Sequence, residues 1–289
     1  MKLKSSLSGY LAVYVALWSL FPVLSAMTVE KIGFLSGIAL TSLASGLFLG
    51  IFGLFGGDFK NFWQKPNQKE LFISILIFGF LYFGLNFAAL AATSAGNMAL
   101  LDLLKVPFGF LLLSFFMKAE KFAPKAFLGA MIMCLGAAIP LFQSAKIGFS
   151  GDFIVVLAAI IASIGNQFSK KATESFSPVA IMGVRSTIVG LSLTIFLFFS
   201  GNLTLPSDFW TIFIIFFNGI FVFSLSAIAF LRAIKLSTVS FVQSFGAFLP
   251  ISTFLMAYLF QNTPPTRLQL ISLPILILGL LILVRNKPK

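Results

Sequence analysis

The 289-residue chain contains no histidine, one cysteine (Cys134) and only eight acidic residues. Without histidine it lacks the side chain that most often ligates metals and most readily exchanges protons near neutral pH. A single cysteine excludes a disulfide framework. No G-x-x-x-x-G-K-[ST] motif occurs, so any work driven by ATP would fall to another protein. No cluster of acid–base groups stands out, no stretch has the composition of a soluble domain, and no long linker or low-complexity tail interrupts the chain. These absences argue against an enzyme and predict neither a catalytic residue, nor a metal site, nor a cofactor.

What is abundant is apolar surface. Hydrophobic residues make up 59% of the chain and charged ones 10%, and the mean hydropathy is +1.04. Runs of the ~18 or more apolar residues that can cross a bilayer recur throughout. This composition predicts an all-α, polytopic membrane protein. A window of about 19 residues places ten spans at 6–26, 34–55, 71–91, 94–117, 124–142, 150–169, 178–200, 208–231, 238–260 and 267–284. The opening MKLKSSLSGYLAVYVALWSLFPVLSA has the flavour of a secretory signal. Its apolar part is about 20 residues long, against about 7–15 for a cleaved segment, so a retained span is expected. The third and fourth spans meet at AATSAG and form a tight hairpin.

Orientation follows from the positive charges, because short loops rich in Lys and Arg stay in the cytoplasm. With the N-terminus inside, fifteen such residues fall on the cytoplasmic side, among them Lys2, Lys60, Lys121, Lys170 and Arg285. Three fall outside, Lys31, Lys146 and Arg267, and two, Lys105 and Arg185, fall within spans. Both termini are therefore expected in the cytoplasm, at the cytoplasmic (inner) membrane. The net charge of +12 is explained by anchoring to anionic lipid and needs no nucleic acid.

The chain also repeats itself. A shift of 143 residues aligns Phe87 with Phe230, Ser94 with Ser237, Pro107 with Pro250 and Leu135-Gly136 with Leu278-Gly279, without a gap. Each half, 1–146 and 147–289, holds five spans, so the second enters the membrane from the opposite side. An inverted repeat of this kind is a common plan for transporters.

The segment YFGLNFAALAATSAGNMALLDLLKVPFGFLLLSFFMKAEKFAPKAFLGAMIMCLGAAIP resembles the EamA-type module of the drug/metabolite transporter superfamily. The likeness lies in a small-residue turn, a proline within the next span, a glutamate at its end and two later glycines: here Pro107, Glu120, Gly129 and Gly136. A second copy keeps Pro250 and Gly279, with Thr263 and Ser272 in place of the glutamate and first glycine, and Arg185 is similar to the arginine of that module's second span. The resemblance implies ten helices in two inverted five-helix repeats around a cavity lined by the first, third, fourth, sixth, eighth and ninth. The fifth and tenth would lie outside, with Gly129 and Gly136 as packing residues. Members move amino acids, nucleotide sugars, phosphorylated sugars, cations or drugs.

Inside the fourth span, Lys105 is expected near the membrane midplane and Asp102 one turn closer to the outside. Their i, i+3 spacing puts them on one helix face. Two readings are open: a mutually neutralising pair that lets the helix insert, or groups facing an aqueous pathway. Tyr14, Trp18, Tyr82, Asn86, Asn97 and Asn218 lie deep enough to reach a central cavity or to bond between helices, and Asn166-Gln167 form an adjacent amide pair. Arg185 and Arg232 are expected to snorkel to the cytoplasmic interface. Glu120 is read as a loop ion pair among Lys118, Lys121 and Lys125, and Pro22, Pro107 and Pro250 as kinks.

Together these features predict a secondary active transporter working by alternating access, driven by a gradient or by exchange. Its substrate would be a small polar or amphipathic metabolite such as an amino acid, with a proton or counter-substrate as coupling partner and lipid as surroundings. An anionic phosphorylated metabolite is the alternative solute. A channel, which would carry rings of like charge, and a membrane-embedded enzyme are the alternatives from other classes.

Overall fold

The computed structural model describes residues 2–112, 124–144 and 150–285. Glu120 with Lys118 and Lys121, and Lys146, lie outside these residues, whereas Lys125 falls in the first turn of the helix that begins at Pro124. The described chain forms helices and loops without strands. Nine helices are long and apolar enough to cross a membrane among the described residues: α1 (Ser6–Ile32), α2 (Phe34–Gly56), α3 (Gln68–Leu90), α5 (Pro124–Leu141), α6 (Gly151–Ala172), α7 (Pro178–Phe199), α8 (Phe209–Leu236), α9 (Phe241–Gln261) and α10 (Arg267–Arg285). The helix that begins at Ala95 supplies the tenth, α4 (95–111), at the fourth expected span.

Several helices outrun their apolar stretches. α1 continues through MTVEKI to Ile32, where Gly33, at φ 76°, turns the chain. Glu30 and Lys31 are exposed on that last turn. Hydropathy marks the part of a helix in lipid, whereas backbone hydrogen bonding carries it onward into the interface. Helix starts follow local capping. Ser94 accepts from Asn97 N at 3.1 Å, Ser177 from Ala180 N at 3.1 Å, Asp208 from Thr211 N at 2.8 Å and Thr238 from Phe241 N at 3.2 Å. Asp208 also accepts from the Thr211 hydroxyl at 2.7 Å, and these bonds hold its carboxyl below the usual carboxylate range.

The halves interlock. α6 packs against α3 and α4, and α1 packs against α8 and α9, so each half lends its first helix to the hairpin of the other. α2 pairs with α7, and α5 with α10. At the second pair a Cβ on Gly129 would stand 2.4 Å from Leu283 N, and one on Gly279 2.7 Å from Met133 N, so only glycine permits this approach. The Ser272 hydroxyl donates to the Gly136 carbonyl at 2.7 Å and ties the same two helices.

The repeat extends to irregularities of the backbone. α3 widens into π-helical turns over Ile75–Tyr82 and α8 over Asn218–Ser226, starting 143 residues apart. α4 tightens into a 3₁₀ turn over Asp102–Leu104 and α9 over Phe245–Phe248, again starting 143 residues apart. Pro107 and Pro250 follow these tight turns, consistent with the bonds that proline cannot make. α1 breaks at Ser19-Leu20, just before Pro22, and Thr253 of α9 donates to the freed Ser19 carbonyl at 2.8 Å. Backbone irregularity inside a membrane needs such internal partners. Lipid is met by an apolar exterior that includes Phe52, Phe55, Phe196 and Phe199.

Candidate functional site

A small cavity of about 50 Å³ lies between the halves. Tyr14 and Trp18 of α1, Tyr82 of α3, Lys105 of α4 and Asn166 of α6 line it, so five of the expected residues meet there. In the π-helical stretch residues i+4 and i+5 both neighbour residue i on the next turn. That register puts Phe78 of α3 on the same wall as both Tyr82 and Phe83. Trp18 stacks on Phe21 with ring centroids 4.9 Å apart, which fixes its indole beside the cavity.

Behind the wall stands Asp102. Lys105 makes a direct ion pair with its Oδ2, and the Tyr82 hydroxyl donates to Oδ1 at 3.0 Å. Both charged residues are buried, at 7% and 5% exposure, so neither reaches lipid headgroups or bulk water. The 3₁₀ turn over Asp102–Leu104 lies between the two. Tyr14 stands close enough for its hydroxyl to interact with the Lys105 ammonium. Lysine, aspartate and two tyrosines thus form one connected group, with lysine and both tyrosines on the cavity wall and aspartate beneath.

The remaining expected residues lie elsewhere. Asn86 donates to the Tyr82 carbonyl of its own helix at 2.8 Å, and Asn218 donates to Ser25 at 3.1 Å, tying α8 to α1. Gln167 is half-buried outside the lining. Neighbouring helical residues point in different directions, so a single helix face presents one amide of the Asn166-Gln167 pair. Asn97 belongs to a separate polar cluster on the face opposite the termini. There it donates to Asp152 Oδ2 at 3.0 Å and accepts from Gln269 at 2.7 Å, while the Thr93 hydroxyl also donates to Asp152.

Two expectations are corrected. The seventh helix, rather than the ninth, lines this cavity, through Met182 and Arg185. In α9, Phe245 and Phe248 stand where α4 carries Asp102 and Lys105; Phe248 is 55% exposed and faces away from the bundle. Arg185 does not snorkel: it is 5% exposed, and its guanidinium points inward. It donates to Ser169 at 3.1 Å and to Ser74 at 3.3 Å and lies 5.1 Å from the Phe78 ring centroid. Depth along the helix had suggested an easy reach to the interface. The small polar Ser74 and Ser169 on α3 and α6 are what draw the side chain the other way. Arg232 is exposed and stacks over Tyr10.

The two halves thus share a small polar and aromatic cavity. A sequence model of the EamA-like transporter family matches residues 7–142 and again 149–285. The chain belongs to this family. The two matches leave only residues 143–148 between them. An uncharacterized transporter of Methanothermobacter thermautotrophicus is 27% identical over 207 residues, which cover 68% of this chain and 59% of that protein. A solved crystal structure superposes with a TM-score of 0.73 at 17% identity, covering 97% of this chain and 98% of the other, which supports the fold alone. The likeness to the EamA-like family thus extends over both halves of the chain. Among its described residues, no three His, Cys, Asp or Glu side chains gather as a metal site.

Proposed function

We propose that the protein is a secondary active transporter that carries a small polar or amphipathic metabolite, an amino acid being the first candidate, across the cytoplasmic membrane. The observation that carries this reading is the cavity between the inverted halves, lined by α1, α3, α4, α6, α7 and α8. Residues 1–146 and 147–289 would rock about that site and expose it alternately to each side. A gradient or exchange drives the cycle, with a proton or a counter-substrate as coupling partner. Both termini lie in the cytoplasm on this reading, supported by the lysine and arginine distribution.

The polar end of the solute would sit against the Lys105–Asp102 pair and Asn166, and its apolar part against Trp18 and Tyr82. Lys105 meets the solute, while Asp102 holds the lysine in place. The second reading is a wholly anionic, phosphorylated solute, favoured by the two cationic side chains, Lys105 and Arg185, on the wall.

Counterflow into proteoliposomes tests the reading. Vesicles loaded with unlabelled amino acids, phosphorylated sugars or cationic drugs are diluted into labelled solute of the same class. Uptake above that of protein-free vesicles is expected for zwitterions first. No counterflow with any class would sink the proposal.

A further inference from the structure

Of the two cations on the cavity wall, Lys105 has its counter-ion and Arg185 has none among the described residues. Among the described residues no carboxylate lies within ion-pair distance of Arg185, and its Nε has no hydrogen-bond partner. Its partners are two serine hydroxyls, the Met182 sulfur at 3.5 Å and the Phe78 ring, all of them neutral. A buried charge left uncompensated is costly, and a fold keeps one most readily where a ligand completes it. On the wall of the same cavity the Asn166 Oδ1 is also buried without a partner. The rest of the wall is largely aromatic and apolar, with Trp18, Phe78, Phe83 and Phe230.

We propose that Arg185 is the anion-binding residue of this cavity, taking the carboxylate or phosphate of an organic anion whose apolar body lies against the aromatic wall. The inference rests on the reading of the cavity as a solute site and names the class of solute. Arginine suits the role because its planar fork bonds a carboxylate or phosphate through two nitrogens at once. The Lys105–Asp102 pair, already neutral, is left to an ammonium or hydroxyl at the other end of the solute. Arg185 stands two turns into α7 from Pro178, on the half of the cavity nearer the termini. A solute arriving from that side would meet the arginine before the midplane pair.

Trp18 supplies the test, since it lines the cavity while Trp63 and Trp210 are exposed. Trp63→Phe with Trp210→Phe leaves Trp18 as the sole indole reporter in nanodiscs. Phenylacetate, phenyl phosphate, the neutral phenylacetamide and the cationic phenethylamine are then titrated. The reporter protein should bind at least one anion about tenfold or more tightly than the amide, as expected for a charge-assisted bidentate contact. The better of the two anions tells carboxylate from phosphate. Arg185→Gln should bring the ratio of anion to amide affinity close to one, and Arg185→Lys should keep part of the preference. Equal affinity for anion and amide, no saturable anion binding, or a ratio unmoved by Arg185→Gln would overturn the proposal. The reporter protein alone already decides the first two, should Arg185→Gln fail to fold. Counterflow activity without anion preference would refute this site and spare the transporter. Anion binding through Arg185 without translocation of any solute would do the reverse.

Discussion

Replacing Asp102 and Lys105 singly and together separates insertion from transport. Both side chains are buried, and each is the other's sole ionic partner among the described residues. Asp102→Asn keeps an acceptor for the Tyr82 hydroxyl but strands the lysine ammonium in a low-dielectric interior. Breaking a buried pair from one side costs about 3–5 kcal/mol. Lys105→Gln strands the carboxylate instead, which still accepts from Tyr82. A hydrogen bond to a charged group contributes about 1.5–3 kcal/mol, so this variant should lose less, about 1–3 kcal/mol. The double replacement removes both charges and leaves neutral polar groups of similar size. Its stability should lie within about 1–2 kcal/mol of the parent, above that of Asp102→Asn alone. Folded fraction is measured by denaturant titration in mixed micelles, and counterflow in proteoliposomes gives transport. If the lysine meets the solute, the double variant folds well and transports poorly. Near-parental transport by a well-folded double variant would make the pair purely structural and refute its place in the site. Singles as stable as the parent would refute the burial argument itself.

The cluster of Thr93, Asn97, Asp152 and Gln269 joins the α3–α4 turn to α6 and α10 on the face opposite the termini, and its loss should loosen that face. Spin-label distances between the α3–α4 and α9–α10 turns, both on the face opposite the termini, should be bimodal and shift with substrate. Asp152→Asn should raise the open population at the face opposite the termini, and one invariant distance would argue for a static pore. Gly129→Ala should cost about 1–3 kcal/mol through the forced separation of α5 and α10. Gly50→Ala, with open space around its Cβ, should be neutral or stabilising, and equal thermal stability of the two variants would contradict the packing account. A cysteine placed at Lys121 in a Cys134→Ser background should be labelled in intact cells only by a permeant thiol reagent, and labelling by an impermeant one would invert the topology.

The architecture was legible because lipid imposes strong rules on sequence. Each spanning helix must be apolar over its length, and a duplicated half must repeat its prolines and small residues at a fixed offset. The 143-residue shift that pairs Pro107 with Pro250 also pairs the 3₁₀ turns before them, so the proline signal carried backbone information. The π-helical turns left no such mark. Neither ILIFGFLY nor NGIFVFSLS contains a proline, and a wide turn depends on how neighbouring helices fill the space beside it. Helix ends were misplaced for a similar reason, since MTVEKI is too polar for lipid yet still helical.

The site was half legible. A charged pair in the fourth span and aromatic residues in the first and third stand out against an apolar background, and the structure gathers Tyr14, Trp18, Tyr82, Lys105 and Asn166 on one wall. Depth alone does not separate the two readings of the asparagines, because a buried amide at a given depth is as readily used between helices, as Asn218 is with Ser25. Arg185 was the larger miss. Position along a helix gives distance to the interface, but the direction of a side chain around the helix decides whether it can get there. A stripe of buried residues, Met182, Arg185, Ser186 and Val189, marks the inward face of α7, while Leu191, Ile195 and Phe196 mark the face toward lipid. An arginine on the inward stripe has no route to the interface that avoids its neighbours. Its nearest accommodation is the cavity, and the serines on α3 and α6 hold it there. The positive charge that looked like a membrane anchor is therefore placed where a solute, and not a lipid headgroup, can neutralise it.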